Sequence, residues 1–219
     1  MKLPKEEILI NSPYRRDLEP LLKYAEQALR EWSPIWTPFL PAQLLEEVKK
    51  KFNHLIDLTC NYEGGYSHAE RQRICFRRTE NKNNSSNLNI PIEGLYLKGN
   101  FLFDRAKPNE FREAIQDLGI KEDEIGDIWL IRDRGAQAIC SKNCADLISN
   151  RLSKLREVEI KIQKIAIPEM EIPLKRAEKT INTVEASTRI DAIASAGFGL
   201  SRSKITTQIK QGLLRLNWI

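Results

Sequence analysis

Two histidines, four cysteines without a C-x-x-C pair, and no run of about 18 apolar residues set the first limits on this 219-residue chain. Close Cys and His spacing, the usual sign of a zinc site, is missing. Cys140 and Cys144 come nearest, with three residues between them at an expected strand-to-helix junction, and reduced, buried thiols are expected there and at Cys60 and Cys75. The lack of a long apolar run excludes a membrane-spanning helix, and MKLPKEEILINSPYRRD has no apolar signal-peptide core, so a cytoplasmic or stroma-like compartment is expected. There is no G-x-G-x-x-G after a strand, no P-loop, and no nucleophile set beside a base. No catalytic residue, metal or cofactor is therefore assigned.

What is present is enough apolar content for real cores, 41%, and a net charge of +5 that is unevenly placed. From Lys175 onward there are eight basic and three acidic residues, while the rest of the chain carries 27 of each sign. The whole excess sits in the last fifth, where a polyanion would dock first.

Taken in order, the pattern predicts an amphipathic helix over 16–32, with Leu18, Leu21, Leu22, Ala25, Ala28, Leu29 and Trp32 on one stripe. Pro34, Pro38 and Pro41 break the chain, and a second helix follows over 42–52. A strand over 54–62, a turn at Glu63-Gly-Gly-Tyr66 and a buried strand around Ile74, Cys75 and Phe76 form a hairpin. Arg71, Arg73, Arg77 and Arg78 flank that strand. They are a candidate secondary RNA surface, or an edge of ion pairs with Glu70 and Glu80. The stretch 80–89 is polar and reads as a mobile loop.

From residue 90 the order becomes strand (92–99), helix (108–118), hairpin strands (125–132 and 135–140), helix (143–155) and strand (158–166). That is the split βαβ plan of ferredoxin-like and RRM-like domains. Its third strand, GAQAIC, has no aromatic residue, which disfavours base stacking on the open sheet face. Tyr96, Phe101 and Phe103 are read as core or loop packing. Pro168 and Pro173 bracket what reads as a semi-rigid spacer. The expected organisation is α+β: an N-terminal helical and β-hairpin region (1–89), the βαββαβ domain (90–168), a linker (169–186) and a C-terminal module (187–219).

The last stretch, STRIDAIASAGFGLSRSKITTQIKQGLLRLNWI, parses as a helix over 189–196, a turn at Gly197, a helix over 202–211 capped by Ser201 and closed by Gly212, and a strand beginning at Leu214. Ile190, Ile193 and Ala194 are expected to face inward on the first helix, and Ile205 and Ile209 on the second. Ser203, Lys204, Thr207, Gln208, Lys210 and Gln211 would then form a cationic outer surface. This could equally be the solvated face of an ordinary helical hairpin.

The ordered string Arg-Ile-Asp, Ser-Arg-Ser-Lys, Ile-Lys-Gln-Gly and Arg-Leu-Asn-Trp resembles the RNA-binding module named after small-subunit ribosomal protein four. The resemblance implies that Arg189, Ser201, Arg202, Ser203 and Lys204 contact RNA; Asp191, with no second acid beside it, reads as a structural partner of a nearby arginine or backbone amide. The module usually continues into further strands, so a longer natural chain or a curtailed domain is expected. GGY with AERQR, and especially DLGIKEDEIGDIWL at 117–130, extend the likeness across nearly the whole chain to the YlmH family. That resemblance implies a ribosome-associated RNA binder. The family's bacterial branch is linked to rescue of stalled translation on the large subunit and to cell division, and its photosynthetic branch is named for photosystem II.

The expected function is thus a non-enzymatic binder of structured RNA, rRNA or tRNA on the ribosome, without membrane insertion. An adaptor docking an acidic protein and an RNA-modifying enzyme are the alternatives.

Overall fold

The computed structural model describes residues 3–79, 89–175, 180–211 and 213–214. Most of the polar loop expected at 80–89 lies outside them, as do Gly212 and all but the start of the expected final strand. The chain divides into two units, Met1–Pro173 and Leu174–Ile219.

The first unit begins with α1 (Lys5–Leu9), α2 (Arg15–Glu31), β1 (Ile35–Trp36), α3 (Ala42–Phe52), β2 (Leu58–Glu63) and β3 (Arg73–Arg78). The leucines and alanines of the α2 stripe are buried as its periodicity predicts, against Leu44, Val48 and Phe52 of α3 and against Ile74 and Phe76 of β3, while Trp32, expected on the same stripe, is the left-handed residue that ends the helix and is exposed. Fully burying each large side chain contributes about 1.5–3 kcal/mol, so this one cluster fixes the helices to the sheet. The sheet order is β1-β3-β2, all antiparallel. Two details differ from the sequence pattern. Residues 53–57 form successive turns, so β2 starts four residues later than expected. The proline-bracketed segment supplies a two-residue strand, held because buried Thr37 accepts from Ile74 N at 2.9 Å through its hydroxyl and donates to Pro38 O at 2.8 Å.

A second sheet follows, from β4 (Ile92–Lys98), α4 (Pro108–Gln116), β5 (Ile125–Leu130), β6 (Gly135–Ser141), α5 (Lys142–Ile148), β7 (Leu152–Leu155) and β8 (Val158–Ile165). Its order is β5-β6-β4-β8-β7, antiparallel throughout. The βαββαβ order stands, with β7 added at one edge. The helix expected over 143–155 stops at Ile148, because Asn150 takes φ 64° and turns the chain back. Leu152–Leu155 then pairs with Val158–Lys161 across a turn at Arg156, φ 53°. Leu147 and Leu152 are exposed, and Cys144, Ala145 and Ile148 are the buried side of α5.

One face of the larger sheet packs on α4 and α5 through Leu95, Leu97, Phe111, Ile115 and Ile160. The other face is covered too. Trp129, Ile131 and Ile139 lie under Phe39, Tyr66, Met170 and Ile172. Residues 169–173, which read as the start of a spacer, are therefore docked: Glu171 N donates to Gln137 Oε1 at 2.8 Å, and Met170 is buried.

Ser141 joins β6 to α5. Its hydroxyl accepts from Cys144 N at 3.1 Å as the N-cap and donates to the Glu124 carboxylate. Ser141→Ala removes both contacts at a buried position, at a cost of about 2 kcal/mol. A melting temperature lower by about 5 °C in a calorimetric scan is the expected result, and an unchanged scan would contradict it.

The second unit contains α6 (Ile190–Phe198) and α7 (Arg202–Lys210).

Candidate nucleic-acid interface

The two C-terminal helices are set by local chemistry. Arg189 N donates to Ser187 Oγ at 3.2 Å ahead of α6, and Arg189 grips Asp191 two-pronged, Nε to Oδ1 at 3.0 Å and Nη2 to Oδ2 at 3.3 Å. That hydrogen bond from Arg189, with its charge, holds the Asp191 carboxyl below the usual carboxylate range. Asp191 is the structural partner the sequence suggested. The left-handed residue that ends α6 is Gly199, φ 63°, not Gly197, because the helix runs two residues further than expected. Ser195 Oγ donates to Leu200 O at 2.5 Å across that turn.

Ala192 and Ala194 of α6 and Ile205 of α7 are the buried residues of the pair. Ile190 and Ile193, expected inside, are 37% and 46% exposed, and Phe198 is 67% exposed. Small alanines on α6 permit close approach of the Ile205 side chain, and Ile190 and Ile193 are left outside. The outer face of α7 is as expected. Ser201, Arg202, Ser203, Lys204, Thr207 and Lys210 are exposed and Gln208 is half-buried.

At the start of α7, Ser201 Oγ accepts from Lys204 N at 3.4 Å. The amides of the first turn and the guanidinium and ammonium groups beside them make a region of positive potential. Besides Arg189, two more of the candidate residues are partly engaged within the unit. Arg202 lies 3.8 Å from Glu185, and Thr207 donates its hydroxyl to Ser203 O at 3.1 Å, leaving only acceptor capacity for a ligand. An incoming phosphate would compete with Glu185 for Arg202 in solvent, where such a pair is weak.

The arginines in and just before β3 separate into two kinds by their partners. Arg73 Nε donates to Thr37 O at 2.6 Å and its Nη1 to Pro91 O at 2.8 Å; burial pulls its pKa down from the ordinary guanidinium value. Arg71 Nε donates to Ile125 O at 3.0 Å, and its guanidinium lies 3.7 Å from Glu122. Both tie the two sheets together, which removes them from the candidate secondary surface. Nor are they paired with Glu70, because backbone carbonyls in the interior need donors more than a solvated carboxylate does. Arg77 and Arg78 are half-buried as well, but their contacts stay within the N-terminal helices and sheet. Arg77 Nε donates to Asn61 Oδ1 at 3.1 Å, and the Arg78 guanidinium stacks 3.8 Å from the Trp32 ring centroid.

The two strings that carried the wider resemblance meet in space. Asp127, from IGDI, accepts from Tyr66 Oη at 2.7 Å, Glu70 N at 2.8 Å and Arg71 N at 3.0 Å. Burial and the hydrogen bond to Asp127 raise the Tyr66 phenol pKa. Arg112 of α4 donates to Gly126 O at 2.7 Å, a contact with no signal in the sequence. Gly65, at φ +88°, brings the backbone close enough to Ile139 that a Cβ would lie 2.9 Å from its Cδ1. A cleft of about 400 Å³ opens beside this turn, lined by Tyr62, Gly64, Tyr66, Gln72 and Ile167 among others. Tyr66 and Asp127 are thus fasteners between the sheets.

Burial raises the Cys60 thiol to about 12 and the Cys75 thiol to about 11, so neither is a thiolate at neutral pH. Among the described residues, no group of three His, Cys, Asp or Glu side chains is placed to hold a metal. No helix among them is long and apolar enough to cross a membrane.

Comparison with known proteins adds three likenesses. The family model described as YlmH, N-terminal, matches residues 14–81. The ribosome-associated protein quality control protein P2 of Bacillus subtilis (strain 168) is 27% identical over 163 residues, 74% of this chain and 62% of that protein. The match therefore spans less than two thirds of that relative's length. The solved cell division protein ylmH from Streptococcus pneumoniae shares the fold, with a TM-score of 0.56 at 18% identity over 71% of this chain and 93% of that one.

Proposed function

We propose, on the premise of the YlmH kinship that these matches support, that this chain is a ribosome-associated binder of structured RNA. Its contacts to rRNA or tRNA phosphates come from Ser201, Arg202, Ser203, Lys204 and Lys210, with Arg189 and Gln208 at the margin. The observation that carries the reading is the exposed cationic first turn of α7, where a cap serine, two cations and helix-terminal amides converge. The relative named for ribosome-associated quality control supports the ribosome as the place of action, and the cytoplasmic compartment with it. The role is one of binding rather than catalysis. The covered face of the larger sheet also argues against the stacking mode of an open RRM sheet.

The test is binding to purified ribosomal subunits and tRNA over a salt series. Arg202→Ala with Lys204→Ala is expected to weaken binding about tenfold or more near 100 mM salt, and to lower the slope of log K against log salt by about 2. Unchanged affinity and slope would refute the assignment. Association that survives nuclease treatment would favour an adaptor instead, and turnover of a modified nucleotide by the pure protein an enzyme.

A further inference from the structure

The loop 99–107 (GNFLFDRAK) leaves β4 by sending one aromatic in and the next one out. Phe101 is buried, packed edge-on against Phe111 with centroids 5.1 Å apart. Phe103 is 96% exposed and Leu102 is 55% exposed. The loop is firmly held. Gly99 N and Phe101 N donate to Arg134 O at 3.2 Å and Asp133 O at 2.8 Å, and Asn100 Oδ1 accepts from Leu102 N at 3.2 Å. Arg156 bridges the carboxylates of Asp104 and Glu110 across its far end. An aromatic ring is therefore presented to solvent by a braced backbone.

Its surroundings are cationic. Arg105 and Lys107 follow on the same loop, and Arg132, at φ 48°, lies in the β5–β6 turn to which the loop is bonded. All three are exposed, and none forms an ion pair among the described residues. Asp104 and Glu110 are already occupied by Arg156, leaving Asp133 as the exposed acid of the adjoining turn. A protruding aromatic alone would suit a protein pocket, a lipid surface or a base. Three exposed cations beside it, none in an ion pair among the described residues, select a ligand that alternates flat apolar rings with phosphates. A lipid surface would call for a broader apolar face than Leu102 and Phe103 provide.

We propose that this loop is a nucleobase-stacking contact, in which Phe103 stacks on an unpaired base of structured RNA while Arg105, Lys107 and Arg132 hold the flanking phosphates. The proposal rests on the RNA-binding reading above and adds a contact from the first unit of the chain. The sequence pattern by itself places Phe103 in core or loop packing. Its exposure follows from the turn at Asn100 and the ties to the β5–β6 turn, which no periodicity reports.

The experiment uses the full chain with an RNA hairpin carrying one bulged 2-aminopurine and the same hairpin fully paired. Wild type is expected to quench the bulge fluorescence and to prefer the bulged hairpin by about tenfold. Phe103→Ala, which removes no packing and leaves the thermal melt unchanged, is expected to abolish that preference. Phe103→Trp should keep it. Arg202→Ala with Lys204→Ala should weaken both hairpins alike, so a loss of preference in Phe103→Ala alone would uphold this loop even if the helix assignment failed. Unquenched fluorescence, or equal preference in wild type and Phe103→Ala, would overturn the proposal. So would Phe103-dependent binding found only with a nuclease-treated protein partner or anionic vesicles.

Discussion

Asp127→Ala is expected to lower the melting temperature by about 10 °C, corresponding to about 4 kcal/mol for a chain of this size. The Asp127 carboxylate accepts from three donors, Tyr66 Oη, Glu70 N and Arg71 N, all within 3.0 Å. Alanine leaves the Tyr66 phenol and the Arg71 amide without their acceptor in a half-buried joint, and the Glu70 amide without one at its exposed edge. An orphaned buried donor costs about 1–3 kcal/mol, whereas a completed hydrogen bond contributes only about 1 kcal/mol net. Asp127→Asn retains one acceptor oxygen but turns an amide donor toward the others, so about half the loss is expected. Arg71 still donates to Ile125 O, which should keep the sheets associated but loosen the turn at 63–72. Faster proteolysis within that turn, alongside the lowered melt, would identify the joint as the seat of the loss. A shift below about 2 °C would show that solvent satisfies these donors and that the joint is dispensable.

Gly135→Ala should be more damaging still, and Gly119→Ala separates the two reasons why. Gly135 has φ +114°, and a Cβ there would lie 2.0 Å from Leu97 O and 3.2 Å from Gly99 N. Those are backbone atoms in β4 and one residue past it, and β4 is the strand on which β6 pairs, with Lys98 opposite Gly135. No rotamer relieves the clash; the two central strands would have to part. Backbone strain at such φ costs about 1–3 kcal/mol by itself, and the parted ladder adds to it, for a total of about 4 kcal/mol or more. Insoluble protein, or a melt without a cooperative transition, is the expected outcome. Gly119 has φ +89° with nothing within 4 Å of the added Cβ, so alanine there should cost only the backbone strain, about 1–2 kcal/mol. Equal losses at the two positions would show that crowding against β4 contributes nothing.

The amino-acid sequence by itself determined the long amphipathic helices, the βαββαβ order, the Ser201 cap and the concentration of positive charge near the end. These depend on residues within a few positions of one another, where period, capping and charge act directly. Only the tertiary structure decided that Arg71 and Arg73 fasten the two sheets through backbone carbonyls while Arg77 and Arg78, equally half-buried, contact Asn61 and Trp32. The same residue type at similar spacing was sorted by which carbonyls lay within reach after the sheets met. The short strands Ile35–Trp36 and Leu152–Leu155 belong with these, since a strand of two to four residues exists only through its partner's hydrogen bonds. So do the inward Phe101 and outward Phe103. A pattern of apolar residues shows how much surface must be buried, but the meeting of distant segments chooses which side chains bury it.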